Sequence, residues 1–175
     1  MEPARVRRGT RTDAAAIRAL YATVAATPGG LARAPDEITN AYVEEVVERS
    51  VADGVIVVAE LDGLAGLAGE LHTYRAGLRV FAHVLGELTV AVHPTAQGRG
   101  IGRRLFEMLL QAVRLEQPDI TRIELITQES NQRALRLYES LGFRREGRLE
   151  GRIRSPSGGV EADIPMSWRK SVDTL

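Results

Sequence analysis

The stretch Leu88-Thr89-Val90-Ala91-Val92-His93-Pro94-Thr95-Ala96-Gln97-Gly98-Arg99-Gly100-Ile101-Gly102-Arg103-Arg104-Leu105 reads as strand, tight loop and helix in immediate succession. Its opening residues are apolar or β-branched, and Pro94 cannot donate to a ladder, so the strand ends there. From Gly100 the spacing changes, and Ile101, Leu105, Met108, Leu109 and Ala112 fall on one helical face. Gly98, Gly100 and Gly102 crowd the junction. Lacking β-carbons, they let the backbone come close to a ligand, while the free N–H groups and the positive dipole end of the first helical turn point at it. A pyrophosphate suits such a place. A turn that merely lets a strand pack against a helix would use the same glycines, so the flanking residues decide between the two.

Downstream, Gln117-Pro118 stops the helix, 122–127 reads as a buried strand, and Ser130-Asn131 caps a helix with Leu135, Leu137, Tyr138 and Leu141 that Gly142 ends. Phe143 opens the next strand; 144–153, the turn Ser155-Pro156-Ser157-Gly158-Gly159 and 160–168 read as a closing hairpin. Upstream, 79–92 is strand-like with a kink or bulge near Gly86, and Asp62-Gly63 joins strands 55–61 and 64–74. The chain starts with a short strand at 5–9, an N-cap at Thr12-Asp13 and a helix bearing Ile17, Leu20, Tyr21 and Val24. Pro28-Gly29-Gly30 breaks that helix, and a second, with Tyr42, Val43, Val46 and Val47, follows Pro35-Asp36. The order β-α-α-β-β-β-α-β-α-β-β predicts an α+β fold, a mixed sheet with helices on both faces, as one domain over residues 1–175.

Composition bounds the chemistry. The chain has 175 residues, 44% hydrophobic and 26% charged, with no apolar run long enough to cross a bilayer. Residues 1–11 lack the apolar core of a secretory signal, so a cytoplasmic location is expected. Without cysteine there is no disulfide, thiolate metal site or thiol nucleophile. Basic and acidic residues balance at 23 each, which gives no global field toward nucleic acid or an anionic membrane. Glu146 and Glu150 interrupt the arginines of 144–154, which read as a solvated hairpin face. His72, His83 and His93 lie on strands without ligand spacing, so no metal is expected.

Other glycine motifs fail on spacing. A dinucleotide fingerprint starting at Gly98 would need glycine where Arg103 stands, and a P-loop would need a Gly-Lys-Ser/Thr triplet. Val92-x-Pro94 followed by Gln97-Gly98-Arg99-Gly100-Ile101-Gly102 instead resembles the acetyl-CoA signature of the GNAT superfamily. Asn131-Gln132-Arg133-Ala134-Leu135-Arg136-Leu137-Tyr138-Glu139-Ser140-Leu141-Gly142-Phe143 is similar to that superfamily's second motif.

The resemblance implies a central, mostly antiparallel sheet that splays between its fourth and fifth strands, with pantetheine in the gap. Val90, Ala91 and Val92 would then offer backbone groups to it, and Gln97, Gly98, Arg99, Gly100, Ile101, Gly102 and Arg103 would hold the pyrophosphate, with Arg99, Arg103 or Arg104 as charged contacts. Asn131 would hold the pantetheine amide, cap its helix, or both. Tyr138 would protonate the departing thiolate, and Glu87 would drain the proton of the attacking amine, with His83 and Thr89 as weaker alternatives. The implied activity is direct transfer of acetyl from acetyl-CoA to a primary amine: an amino acid, a small amine or a protein amino terminus. A non-catalytic acyl-CoA-binding module is the competing class. Family members often pair, so a homodimer is compatible with the resemblance. Residues 27–36, the second helix and the turn near Ser155 are expected to set acceptor specificity.

Overall fold

The computed structural model describes residues 4–155 and 158–170. Its elements in chain order are β1 (Arg5–Arg8), α1 (Ala14–Ala25), α2 (Asn40–Asp53), β2 (Gly54–Glu60), β3 (Leu67–Tyr74), β4 (Val84–Val92), α3 (Ile101–Glu116), β5 (Arg122–Gln128), α4 (Gln132–Ser140), β6 (Arg144–Arg145), β7 (Leu149–Arg154) and β8 (Val160–Arg169). The strands form one sheet in the order β1-β2-β3-β4-β5-β8-β6, with β7 also paired to β8. Every pairing is antiparallel except β4 with β5.

Side-chain alternation along β2 explains the layers. Val55, Val57 and Ala59 join the core under α3, together with Leu105, Phe106, Leu109 and Tyr138. Ile56 and Val58 point the other way and pack with Ile17, Tyr21, Val43 and Val47 of α1 and α2. Helices therefore cover both faces, and no helix among the described residues is long and apolar enough to cross a membrane.

The site depends on what happens in β4. Its ladder with β3 runs in register from Gly69↔Val92 to His72↔Thr89 and then shifts to Tyr74↔Gly86, so Glu87 and Leu88 stand opposite the single residue Thr73. This is a β-bulge, and Thr73 Oγ1 donates to the Gly86 carbonyl at 2.6 Å beside it. Glu87 has φ +50°, the one positive value at a non-glycine among the described residues. On the other side β4 pairs with β5 only at Val84↔Arg122 and Leu85↔Ile123, while β5 pairs with β8 over its full length. The bulge turns β4 away, β5 stays with β8, and a gap opens between them.

Several boundaries differ from the sequence expectation. The bulge centres on Glu87, one residue past Gly86, and residues 79–81 form a 3-10 turn before the strand starts at Val84. The loop after β2 spans 61–66, because the turn closed by Leu64 N–H to the Leu61 carbonyl at 3.0 Å is followed by Gly66 at φ +86°, and pairing resumes only at Leu67. Asp13 precedes α1 without capping it; its carboxylate takes two bonds from Arg7, at 2.7 and 2.9 Å, and one from Thr10 N–H at 2.8 Å. The expected long strand after Phe143 is split into β6 and β7, since both pair with β8 on either side of Pro165, which has no N–H to give. Pro156 and Ser157 of the expected turn lie outside the described residues.

Glu146, in that split, ties the strands supporting one wall of the gap. Its Oε1 accepts from Arg122 at 3.0 Å, from Ser167 Oγ at 2.7 Å and from Arg169 at 3.1 Å. The hydrogen bonds from Arg122 first, then Ser167, push its carboxyl down to about 2. A carboxylate depressed on folding stabilises the fold above its unfolded pKa and loses that contribution as pH falls through the folded value. Glu146→Gln is thus expected to melt below the parent at pH 7, with the gap narrowing as pH drops from about 5 toward about 2. A melting difference that stays constant over that range, measured by circular dichroism, would contradict this account.

Candidate active site

The gap between β4 and β5 opens into two cavities. One, of about 450 Å³, is lined by Val90 and Val92 of β4, Gln97 and Gly98 of the loop, the turn from Gly100 to Arg103, and Asn131, Arg133, Ala134, Leu137 and Tyr138 of α4 and its cap. The other, of about 570 Å³, is lined by residues 87–90 of β4, residues 125–128 of β5, residues 29–33 with Glu37 and Tyr42, and Arg152, Ile153 and Asp163 of the β7–β8 hairpin. Gly29, Gly30, Val90, Asn131 and Tyr138 line both, so the cavities meet there. Gly30 keeps this junction thin: a β-carbon on it would lie 2.0 Å from the Val24 carbonyl oxygen at the end of α1.

The first cavity is built for an anion. Gly98 and Gly100 sit at φ +81° and +75°, and a β-carbon on either would meet nothing within 4 Å, so the loop's open face is free of side chains. The first ladder bond of α3 is Arg104 N–H to the Gly100 carbonyl at 3.2 Å. The N–H groups of Ile101, Gly102 and Arg103 therefore precede the ladder and head a helix of 16 residues. Arg103 and Arg133 are on the wall, and no carboxylate is among its lining residues. The Arg103 guanidinium also bonds Ser140 Oγ at 2.6 Å, which holds it between α3 and α4.

The second cavity has the opposite character. Glu37, Glu87 and Asp163 line it, against Arg33 and Arg152. Arg33 stacks on Tyr42 with its Cζ 3.9 Å from the ring centroid, and Arg152 lies 3.7 Å from Asp163. Burial raises the Asp163 carboxyl above its usual range, against the opposing pull of Arg152. Glu87 is exposed at this cavity on its strained bulge. Backbone strain of that kind costs about 1–3 kcal/mol and persists where surrounding structure enforces it, a pattern that clusters at functional sites.

Tyr138 stands at the junction. Its ring packs 5.2 Å from Phe106 and 6.1 Å from Phe143, so α3 and the start of the hairpin fix its direction. Burial pushes its phenol up to about 12, and its hydroxyl makes no hydrogen bond to a described residue. Asn131 Oδ1 accepts from Ala134 N–H at 3.1 Å, capping α4, which leaves its amide NH₂ to face the cavities.

Of the residues singled out in the sequence, Val90, Val92, Gln97, Gly98, Gly100, Ile101, Gly102, Arg103, Asn131, Tyr138 and Glu87 converge on these walls. Thr89 does too, on the second cavity. Ala91 and Arg99 are not brought there: Ala91 is buried in the core under α1, and Arg99 is exposed off the lining. Arg104 turns away to the Ala4 carbonyl. Residues 29–33 and Tyr42, from the α1–α2 loop and the second helix, line the second cavity, and the hairpin contributes Arg152 and Asp163 from its strands. Those two carried no sequence signal beyond ordinary hairpin charge.

A family model described as the acetyltransferase (GNAT) family matches residues 19–143 of this chain. Among curated proteins, a mycothiol acetyltransferase of Thermomonospora curvata is 44% identical over 68 residues, 38% of this chain and 22% of that protein. The N-alpha-acetyltransferase RimI of Mycobacterium tuberculosis is 46% identical over 59 residues, 34% of each. The chain thus spans only about a fifth to a third of these relatives' lengths. The solved phosphinothricin acetyltransferase of Sinorhizobium meliloti, in complex with acetyl-CoA, superposes with a TM-score of 0.80 over 99% of this chain and 96% of that one, at 18% identity.

The glycine-rich helix start gives a direct test. Acetyl-CoA should raise the melting temperature, with the stabilisation growing as the logarithm of its concentration above saturation. Gly102→Asp should abolish that rise, because it sets a carboxylate beside the free N–H groups; its β-carbon meets only Leu137 Cδ2, at 3.4 Å, so the fold tolerates it. Thermal-shift titrations in which this variant responds like the parent would remove the helix start from the site.

Proposed function

The chain belongs to the GNAT acetyltransferase family, and from that premise we propose that it transfers acetyl from acetyl-CoA directly to a primary amine, with both substrates bound together. One observation carries the reading: two cavities of opposite character, one with free helix N–H groups and no carboxylate, the other with three carboxylates, meet at Tyr138 and Asn131. The first fits a pyrophosphate and the second an ammonium group. The acceptor is an amino acid, a small amine metabolite or the amino terminus of a peptide.

The proton account follows from the groups present. An ammonium substrate must shed a proton before its lone pair can attack the thioester carbonyl, and Glu87 is the carboxylate on the wall nearest β4 able to drain it, directly or through water. Backbone groups of β4 left without β5 partners would hold the donor beside the amine. When the tetrahedral intermediate collapses, the carbon–sulfur bond breaks and the thiolate needs a proton. The Tyr138 phenol, kept neutral by burial, holds one. The same dry surroundings raise the proton affinity of a thiolate formed there, which offsets the phenol's elevated pKa.

Two substitutions test these roles. Tyr138→Phe keeps the ring between Phe106 and Phe143 and removes only the hydroxyl, so turnover should fall roughly a hundredfold with acetyl-CoA affinity and melting temperature little changed. Full activity would strike Tyr138 from the chemistry. Glu87→Gln should lower turnover most at low pH, where amine is mostly protonated, and approach the parent at high pH, where free amine is abundant. A uniform loss across pH would reassign Glu87 to structure. Thiol release from acetyl-CoA across a panel of amines, amino acids and peptides reads both; tight donor binding with no turnover on any of them would favour a non-catalytic module.

A further inference from the structure

β3 is buried along its whole length, yet it carries Glu70 and His72 two residues apart and so on one face, toward α1. There they meet Tyr21. The Tyr21 hydroxyl donates to Glu70 Oε2 at 2.5 Å and lies 2.8 Å from His72 Nδ1, which is 3.0 Å from Glu70 Oε1. Tyr21, Glu70 and His72 are exposed by no more than 1%. Three polar groups in that position cost desolvation energy that leucine or phenylalanine would avoid, so their presence asks for a reason.

Hydrogen-bond accounting gives the cluster a direction. Tyr21 has one proton, and Glu70 Oε2 takes it. The carboxylate can only accept, so the proton between His72 Nδ1 and both Glu70 Oε1 and the Tyr21 oxygen belongs to Nδ1. In the neutral ring Nε2 is then the nitrogen with a free lone pair, and it makes no hydrogen bond to a described residue. A carboxylate fixing one imidazole nitrogen so that the other can accept a proton is an arrangement of known chemical use.

The location connects it to the site. His72 lies directly across the ladder from Thr89, next to the bulge, and cross-strand partners share a face. Thr89 lines the amine cavity. The charged and titratable neighbours are few. α1 offers Tyr21; α2 offers Tyr42 under Arg33, and Arg49 over Tyr74; β3 itself offers Tyr74, stacked parallel to His72 with centroids 6.0 Å apart; β4 offers Glu87. β2 presents only Ile56 opposite His72 and Val58 opposite Glu70. Burial raises the Tyr42 phenol against the opposing pull of Arg33, and the negative charges of Glu70 and Glu87 add smaller upward contributions, so cluster and cavity wall share one electrostatic neighbourhood.

We infer that His72, held by Glu70 and Tyr21, receives the second proton of the attacking nitrogen, relayed by the Thr89 hydroxyl or a water beside it. This rests on the acetyl-transfer reading above. Acetylating an ammonium removes two protons from nitrogen. The first leaves before attack, at the open mouth where Glu87 stands. The second leaves once the carbon–nitrogen bond has formed, at the junction beside Tyr138: the N–H bond breaks, its electron pair stays on the amide nitrogen, and imidazole becomes imidazolium. Tyr138 meanwhile gives its own proton to sulfur, and the imidazolium proton later restores the phenol through the cavity water. One proton is released overall. His72 acts through Thr89 and is a positioning and proton-storing group.

The test separates it from Glu87 and from packing. With the amine turned over best by the parent, His72→Gln should lower kcat about ten- to a hundredfold on the high-pH plateau, where Glu87→Gln approaches the parent, leave KM for acetyl-CoA unchanged, and flatten the acid limb of the kcat profile to the part that amine protonation sets. Thr89→Val should reproduce the loss and Thr89→Ser restore it. Should His72→Gln fail to fold, Glu70→Gln and Tyr21→Phe keep shape while altering the clamp, and each should move the acid limb. Independently of turnover, the His72 ring signal in the acetyl-CoA complex should titrate reversibly by NMR, with a midpoint matching the parent's acid limb. A ring signal constant from pH 5 to 9, or parental kcat in Thr89→Val, overturns the inference. Absence of thiol release with every amine, with donor binding intact, instead overturns the reading on which it rests.

Discussion

Everything in the site follows from β4 and β5 being unable to stay paired. β5 is committed to β8 along Arg122–Gln128, and β4 is committed to β3, so the bulge at Glu87 leaves no register in which both ladders continue. Two paired residues hold the strands together at one end and the gap widens beyond them. A gap inside a sheet would ordinarily expose backbone groups at a cost, and an extended ligand with alternating donors and acceptors is one way to satisfy them. The strain at Glu87 is thus linked to the opening, and the side chain on the strained residue is carried to the wall of the cavity that the opening creates.

The same division sorts the charges. On the proposed reading a polyanion and an ammonium cation have to be held close together without either site spoiling the other. Glu37, Glu87 and Asp163 all fall on one side of the junction, where Arg33 is stacked on Tyr42 and Arg152 paired with Asp163, and the free N–H groups of α3 with Arg103 and Arg133 fall on the other. What stands between them is Val90, Asn131 and a phenol that burial keeps neutral. A charged residue at that boundary would favour one substrate's group and oppose the other's at short range. A neutral donor in a fixed ring position avoids the conflict and still offers a proton.

How far the sequence reveals this depends on whether a feature is local. The glycine loop, the α3 stripe, the Asn131 cap and Gly142 at the end of α4 rest on residues within one turn of each other, so they were legible, as was Tyr138 on the inward face. A disturbance near Gly86 was visible, but its centre was not, because which residue takes the positive φ depends on the register with β3. The break at Pro165 shows the same limit: the proline is plain in the sequence, yet its effect falls on a partner strand some twenty positions earlier. Asp163, Arg152 and Arg33 become wall residues only after three separate segments converge. The Tyr21–Glu70–His72 cluster needed α1 to be laid on β3; in the sequence His72 was a strand histidine without ligand spacing and Glu70 carried no signal.

The two sides of the junction are also made of different material. On the proposed reading the donor side would use backbone N–H groups at the head of a regular helix, so its recognition would depend on glycines and helix geometry and little on which other side chains surround it. The acceptor side is assembled from side chains on the irregular loop at 29–33, one tyrosine of α2 and the middle of a hairpin. Leu31 and Tyr42 pack against the core under α1 and α2 and Gly30 has no room for a β-carbon, but the charged members Arg33 and Arg152 lie in neither core, so replacing them leaves the sheet, the bulge and the helix start untouched. On the proposed reading, acceptor preference can therefore drift by surface substitution while donor binding stays with the fold. The buried cluster on β3 is the exception: it sits behind the acceptor wall but inside the rigid part, where a change of residue alters packing as well as charge. If it moves protons, the proton path is fixed with the fold, and acceptor preference varies in front of it.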